Sequence, residues 1–175
     1  AGRLEVWSLT ATDAATGSGL WLHHEHVVPT RSPGAADREP HTTAWAAWFP
    51  ADGVPSWGRT EAISLTPAGT SGTGGDLSWD LRWDARSQRT LYTFPRWAWH
   101  KELLPAAQVV AAPTLAVEGT VAGRPFSGPG AVSRIFGHGN ARRWAWLHCD
   151  LGGGDVLELV SAVSMRPGLR ALPPI

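Results

Sequence analysis

His148 and Asp150 close a run, Arg143–Asp150, in which every second residue can take part in chemistry. In a strand, Trp144, Trp146, His148 and Asp150 share one face, and Arg143, Ala145, Leu147 and Cys149 share the other. Two indoles followed by an imidazole and a carboxylate suit the wall of an apolar pocket with a proton-moving end. A carboxyl group desolvated among indoles stays protonated near neutrality. An indole face steadies a developing cation by about 0.5–2 kcal/mol, and an imidazole orients water or relays the proton. Glu25 is a second candidate acid, and His138 a second imidazole. The competing reading is an amphipathic strand whose polar end sits at a rim.

Other chemistries find less support. His24 and His26 form an H-x-H pair that a strand presents to one side, as metal-binding barrels do. The glutamate a cupin places three or four residues later is absent, Pro29 and Thr30 standing there, so the two are expected as pocket or rim histidines and no metal is expected. Cys149 alternates away from the histidine face and, being the only cysteine, excludes an internal disulfide framework. There is no G-x-S-x-G elbow and no phosphate-cradling glycine loop. No cofactor is expected.

The elements that must position these residues are strands. Twenty Gly and fourteen Pro divide 175 residues into short alternating runs, the pattern of an all-β sandwich or barrel of antiparallel strands. The runs are Leu4–Thr10, Gly19–Val28, His41–Phe49, Arg59–Leu65, Leu77–Asp84, Leu91–Phe94, Leu115–Val121, Ala131–His138, Arg143–Asp150 and Val156–Ser164. Trp97–Ala112 is the best place for a helical turn, limited by Pro105 and Pro113. Thr66–Gly75 reads as a loop, Gly152–Gly154 as a hairpin link, and Gly139–Arg142 as a link short enough to pair the runs on either side.

Eleven tryptophans against four Phe and one Tyr exceed what a minimal core needs. Trp79 and Trp83 share a face, and Trp45 shares one with Thr43, Ala47 and Phe49. Either the core is simply indole-rich or the rings line a cavity; the expectation is that indoles from several strands line a hollow interior, with Trp144, Trp146, His24, His26, Trp79, Trp83, Trp45 and Asn140 as its binding residues.

Fifteen cations balance fifteen anions, so no overall field draws nucleic acid. No run of eighteen apolar residues offers a membrane span, and no basic start precedes an apolar stretch, so the expected compartment is the cytoplasm.

Gly19-Leu20-Trp21-Leu22 after Asp13–Gly17, then Ser78-Trp79-Asp80-Leu81, then Gly137–Asn140 through Trp144-Ala145-Trp146, follow one another in the order of a known family. The chain resembles one half of the lipocalin-like carotenoid hydratases of the hydroxyneurosporene synthase type, relatives of tocopherol cyclases and the AttH group. The resemblance implies an all-β, antiparallel lipocalin-like barrel of about eight to ten strands, a calyx that holds an isoprenoid-like chain and hydrates or cyclises it without a redox cofactor. That family pairs two barrels in one chain. Residues 1–175 make one, and Leu172-Pro173-Pro174-Ile175 reads as a linker, so the expected partners are a hydrophobic small molecule and a second barrel or second copy. The family's H-x-W element reads His138-Gly139-Asn140 here, and His148-Cys149-Asp150 is nearest to its aromatic-x-Asp element. The expected function is a cofactor-free hydratase or cyclase of an apolar polyene. The alternative is a non-catalytic carrier of a small apolar ligand, which needs the same cavity.

Overall fold

Alternation of apolar and polar residues turns nearly every run into a strand. The structure, a computed structural model, describes residues 3–29, 39–60, 63–84, 89–97, 106–137 and 141–164. The strands are β1 (Arg3–Thr12), β2 (Gly19–Val28), β3 (His41–Phe49), β4 (Ser56–Thr60), β5 (Ile63–Thr66), β6 (Gly69–Gly74), β7 (Leu77–Trp83), β8 (Leu91–Tyr92), β9 (Ala106–Val121), β10 (Arg124–Gly137), β11 (Ala141–Gly152) and β12 (Asp155–Ser164). Nine of them follow the order β4-β3-β2-β1-β10-β9-β7-β6-β5, all antiparallel, with β8 added against β9. The path curls into a nearly closed lipocalin-like barrel. At the seam a Cβ on Gly58 of β4 would fall on the backbone of Gly74 at the end of β6, so only glycine lets the two strands meet there.

One face of each strand points inward. Leu9 lies opposite Leu22 of β2 and Val132 of β10, and Leu22 opposite Ala46 of β3. These residues, with Leu77, Trp79, Leu81, Trp83, Val117 and Phe126, form one buried cluster. β7 alternates strictly, with Leu77, Trp79, Leu81 and Trp83 buried and Ser78, Asp80 and Arg82 exposed.

Three expectations are corrected. Residues 69–74 are a strand, not a loop: their small side chains sit opposite Leu81 and Trp79 of β7, and Thr70 accepts a hydrogen bond from Trp79 Nε1 at 3.3 Å. Arg96 and Trp97 are helical, at the start of the expected helical turn, but residues 106–112 belong to β9, because Val109 and Val110 pair with both β8 and β10 and are buried. Pro113 fits the strand because the β9–β10 ladder shifts register between Gly130 and Val132, where 113 has no pairing partner to serve. β10 and β11 are not neighbours: β11 pairs only with β12, through the Gly152–Gly154 turn, and the two make a separate sheet. Among the described residues no helix is long and apolar enough to cross a membrane.

Candidate functional site

Trp146, His148 and Asp150 do come together, as alternation requires, but outside the barrel. They line one side of a cleft of about 670 Å³ whose other side is Thr10, Thr12, Leu20, Trp21, Phe49 and Pro129. The hairpin of β11 and β12 thus faces the outer end of β1, β2, β3 and β10 across this cleft. On β11 the outward positions Arg143, Ala145, Leu147 and Cys149 are exposed, while Trp146 and His148 are half-buried.

A residue the sequence reading omitted organises this wall. Glu158 of β12 stands directly opposite His148 in the ladder. Its carboxylate accepts a hydrogen bond from Trp146 Nε1 at 2.7 Å, and His148 Nδ1 donates to its other oxygen. Both side chains are nearly enclosed, at 12% and 11% exposure. A carboxylate on Nδ1 fixes the tautomer and the ring plane, leaving Nε2 as the nitrogen that can take or give a proton. Asp150 is exposed, and its Oδ1 accepts the Gly152 N–H at 2.8 Å, a turn-forming bond at the mouth of the cleft. The desolvation expected of an acid at this position is therefore missing.

The other expected residues fall in three places. Trp79 and Trp83 are core residues at 3% and 8% exposure, and Trp83 donates to the Pro67 carbonyl at 3.0 Å. They are packed inside the barrel where a hollow was expected: the void lined by Trp7, Leu22, His24, Trp83 and Val132 measures only about 20 Å³, room for about one water and for no larger ligand. His24 and His26 are on the inward side of β2 near the other end, paired with Trp7 and Glu5 of β1, and Trp7 is paired in turn with Arg134 of β10. There Arg134 binds Glu5 at 2.7 Å and stacks 5.0 Å over Trp7, whose Nε1 donates to Glu5 at 3.1 Å. Burial, and the neighbouring His26, push the His24 pKa down, against the pull of Glu5. His26 is exposed and bonded to Thr42 at 3.1 Å. Among the described residues no three His, Cys, Asp or Glu side chains converge as metal ligands.

Glu25 and Trp45 are on the outward side. Glu25 lies 4.0 Å from His23, and His23 stacks on Trp45 with ring centres 4.7 Å apart and 7° between planes. Burial, with a smaller contribution from His24, lowers the His23 pKa to about 4, so the ring is neutral at ordinary pH. Trp45 also carries Arg59 at 5.3 Å and, with Trp21, Ala47, Phe49 and Trp57, lines a second outer cleft of about 530 Å³. His138 and Asn140 lie outside the described residues. Trp144 pairs with Ala162 along the backbone, and its side chain likewise lies outside the description.

The fold is thus a nearly closed antiparallel lipocalin-like barrel, and comparison with known proteins agrees. A crystal structure of a protein from Nitrosomonas europaea, assigned provisionally as AttH (NE1406), matches it with a TM-score of 0.66 at 14% identity, over 93% of this chain and 61% of that one. At that identity the likeness speaks for the fold alone. Two curated relatives are 43% identical over 196 aligned residues: the uncharacterized proteins Rv0493c and MT0513 of two Mycobacterium tuberculosis strains. The alignment takes in all of this chain and 57% of theirs, so the chain spans little more than half the length of these relatives. No family model matches the chain.

Proposed function

We propose that this barrel binds a hydrophobic small molecule in the cleft beneath the hairpin, and that His148 moves a proton on it, in a hydration or cyclisation that needs no redox cofactor. The observation that carries the reading is the Trp146–Glu158–His148 network at the wall of an aromatic cleft. Trp21, Phe49 and Trp146 supply flat apolar surface for an unsaturated chain and π faces for a developing cation. His148 Nε2, with Nδ1 committed to Glu158, is the proton-exchanging atom. The resemblance to the carotenoid hydratases supports the same substrate class.

Mass spectrometry of the purified protein tests the reading, together with binding of the neutral dye Nile red. An apolar molecule should co-purify, and Trp146→Ala should lose it and weaken the dye. In heavy water the wild type should place deuterium on that molecule and His148→Gln should not. Binding without deuterium incorporation would make the protein a carrier. No co-purified molecule and no dye binding would sink both roles.

A further inference from the structure

The outer cleft beside Trp45 continues the one beneath the hairpin, because Trp21 and Phe49 line both. It runs along the outward side of β3, whose every second residue is His41, Thr43, Trp45, Ala47 and Phe49. β4 adds Trp57 opposite Ala47 and Arg59 opposite Trp45. Beyond Trp45 the character changes. Arg59 also borders a third cleft, of about 430 Å³, whose other walls are His41, Thr42, Thr43 and Thr60. Cation, imidazole and hydroxyls there replace the indoles. Among the described residues no carboxylate pairs with Arg59; its guanidinium lies over the Trp45 ring. Glu25, opposite Thr43 in the ladder, is turned to His23.

From Thr43 to Phe49 the groove follows six residue steps of extended strand, about 20 Å. One end offers a cation and hydrogen-bond donors, the middle is aromatic, and the far end reaches the His148 cleft. We infer that the ligand is an extended amphiphilic anion: its carboxylate or phosphate head sits at Arg59 beside Thr43, and its apolar chain follows Trp45, Trp57 and Trp21 toward His148. This rests on the reading of the hairpin cleft as a ligand site and specifies which molecule enters it. A guanidinium held on an aromatic face gives a charge-assisted, two-pronged contact to an oxyanion.

Competition with Nile red tests this, using dodecanoate, dodecyl phosphate and methyl dodecanoate as probes. The two anions should displace the dye about 10-fold better than the ester, as expected for one charge-assisted pair. Arg59→Gln should remove that preference without changing the ester, Arg59→Lys should keep part of it, and Trp57→Ala should weaken all three probes. Equal competition by acid and ester overturns the inference while leaving the hairpin cleft as an apolar site. Failure of every probe to displace bound dye overturns it as well. Failure of the dye to bind at all would instead remove the underlying reading. Sedimentation of the protein with vesicles containing phosphatidylglycerol would overturn the single-molecule ligand in favour of a lipid surface.

Discussion

His148 owes its orientation to a carboxylate on the neighbouring strand. With Nδ1 bonded to Glu158 the ring cannot rotate or exchange tautomers freely, which is what a proton-moving imidazole in an apolar cleft requires. Glu158→Gln keeps the shape and weakens the acceptor, so deuterium transfer should fall at least ~10-fold while Nile red affinity stays. Unchanged transfer would detach Glu158 from that role. A second imidazole makes a different prediction. The folded state holds the His23 pKa at about 4, while the unfolded chain has the ordinary value of 6.5. Above 6.5 both states are neutral and the stability is whole. Between 6.5 and 4 only the unfolded state takes up the proton, so stability should fall with pH across that window, by on the order of 2–3 kcal/mol. Denaturation at stepped pH checks this, with His23→Phe, which keeps the stack on Trp45, expected to flatten the profile. A wild-type curve already flat over that window would show that His23 is not buried as described.

At the scale of elements, strands were legible wherever side chains alternate. Gly19–Val28 and His41–Phe49 form with the expected limits because apolar and polar residues take turns there and proline punctuates the flanks. β6 was not legible, since Gly69–Gly74 has no apolar face to announce a strand; β7 supplies the partner that makes it one. Register was less legible still. The pairing of Gly152 with Asp155, extended without interruption, puts His148 opposite Leu159. An extra residue at Leu151 shifts the ladder by one, so that Asp150 pairs with Val156 and His148 with Glu158. A one-residue slip turns every side chain to the other face, so the acid–imidazole pair exists only because of that bulge. The barrel seam has its own test: Gly58→Val should cost about 1–3 kcal/mol in urea denaturation, because its side chain meets the Gly74 backbone. A neutral substitution would mean that the seam is loose.

For the whole molecule, what matters is which side of the barrel wall the tryptophans occupy. Trp79 is packed inside and bonded to Thr70, whereas Trp57 is 75% exposed on the outer groove. Trp79→Ala should therefore cost about 3–5 kcal/mol, and Trp57→Ala no more than about 0.5 kcal/mol. Ligand affinity should show the reverse order in dye titrations of the two folded variants. Affinity lost with Trp79→Phe but retained with Trp57→Ala would return the ligand to the interior. Composition and two-residue periodicity were enough to establish an all-β protein and to gather Trp146, His148 and Asp150 on one side of a strand, because both are local consequences of where a β side chain points. Whether an indole faces a packed interior or an open groove is settled by curvature and strand order, which bring together residues as far apart as Trp21 and Trp146. The same holds for the pairing of His148 with Glu158 and for the meeting of Arg59 with Thr43. Each depends on how neighbouring strands are aligned, and alignment is a property of the assembled sheet.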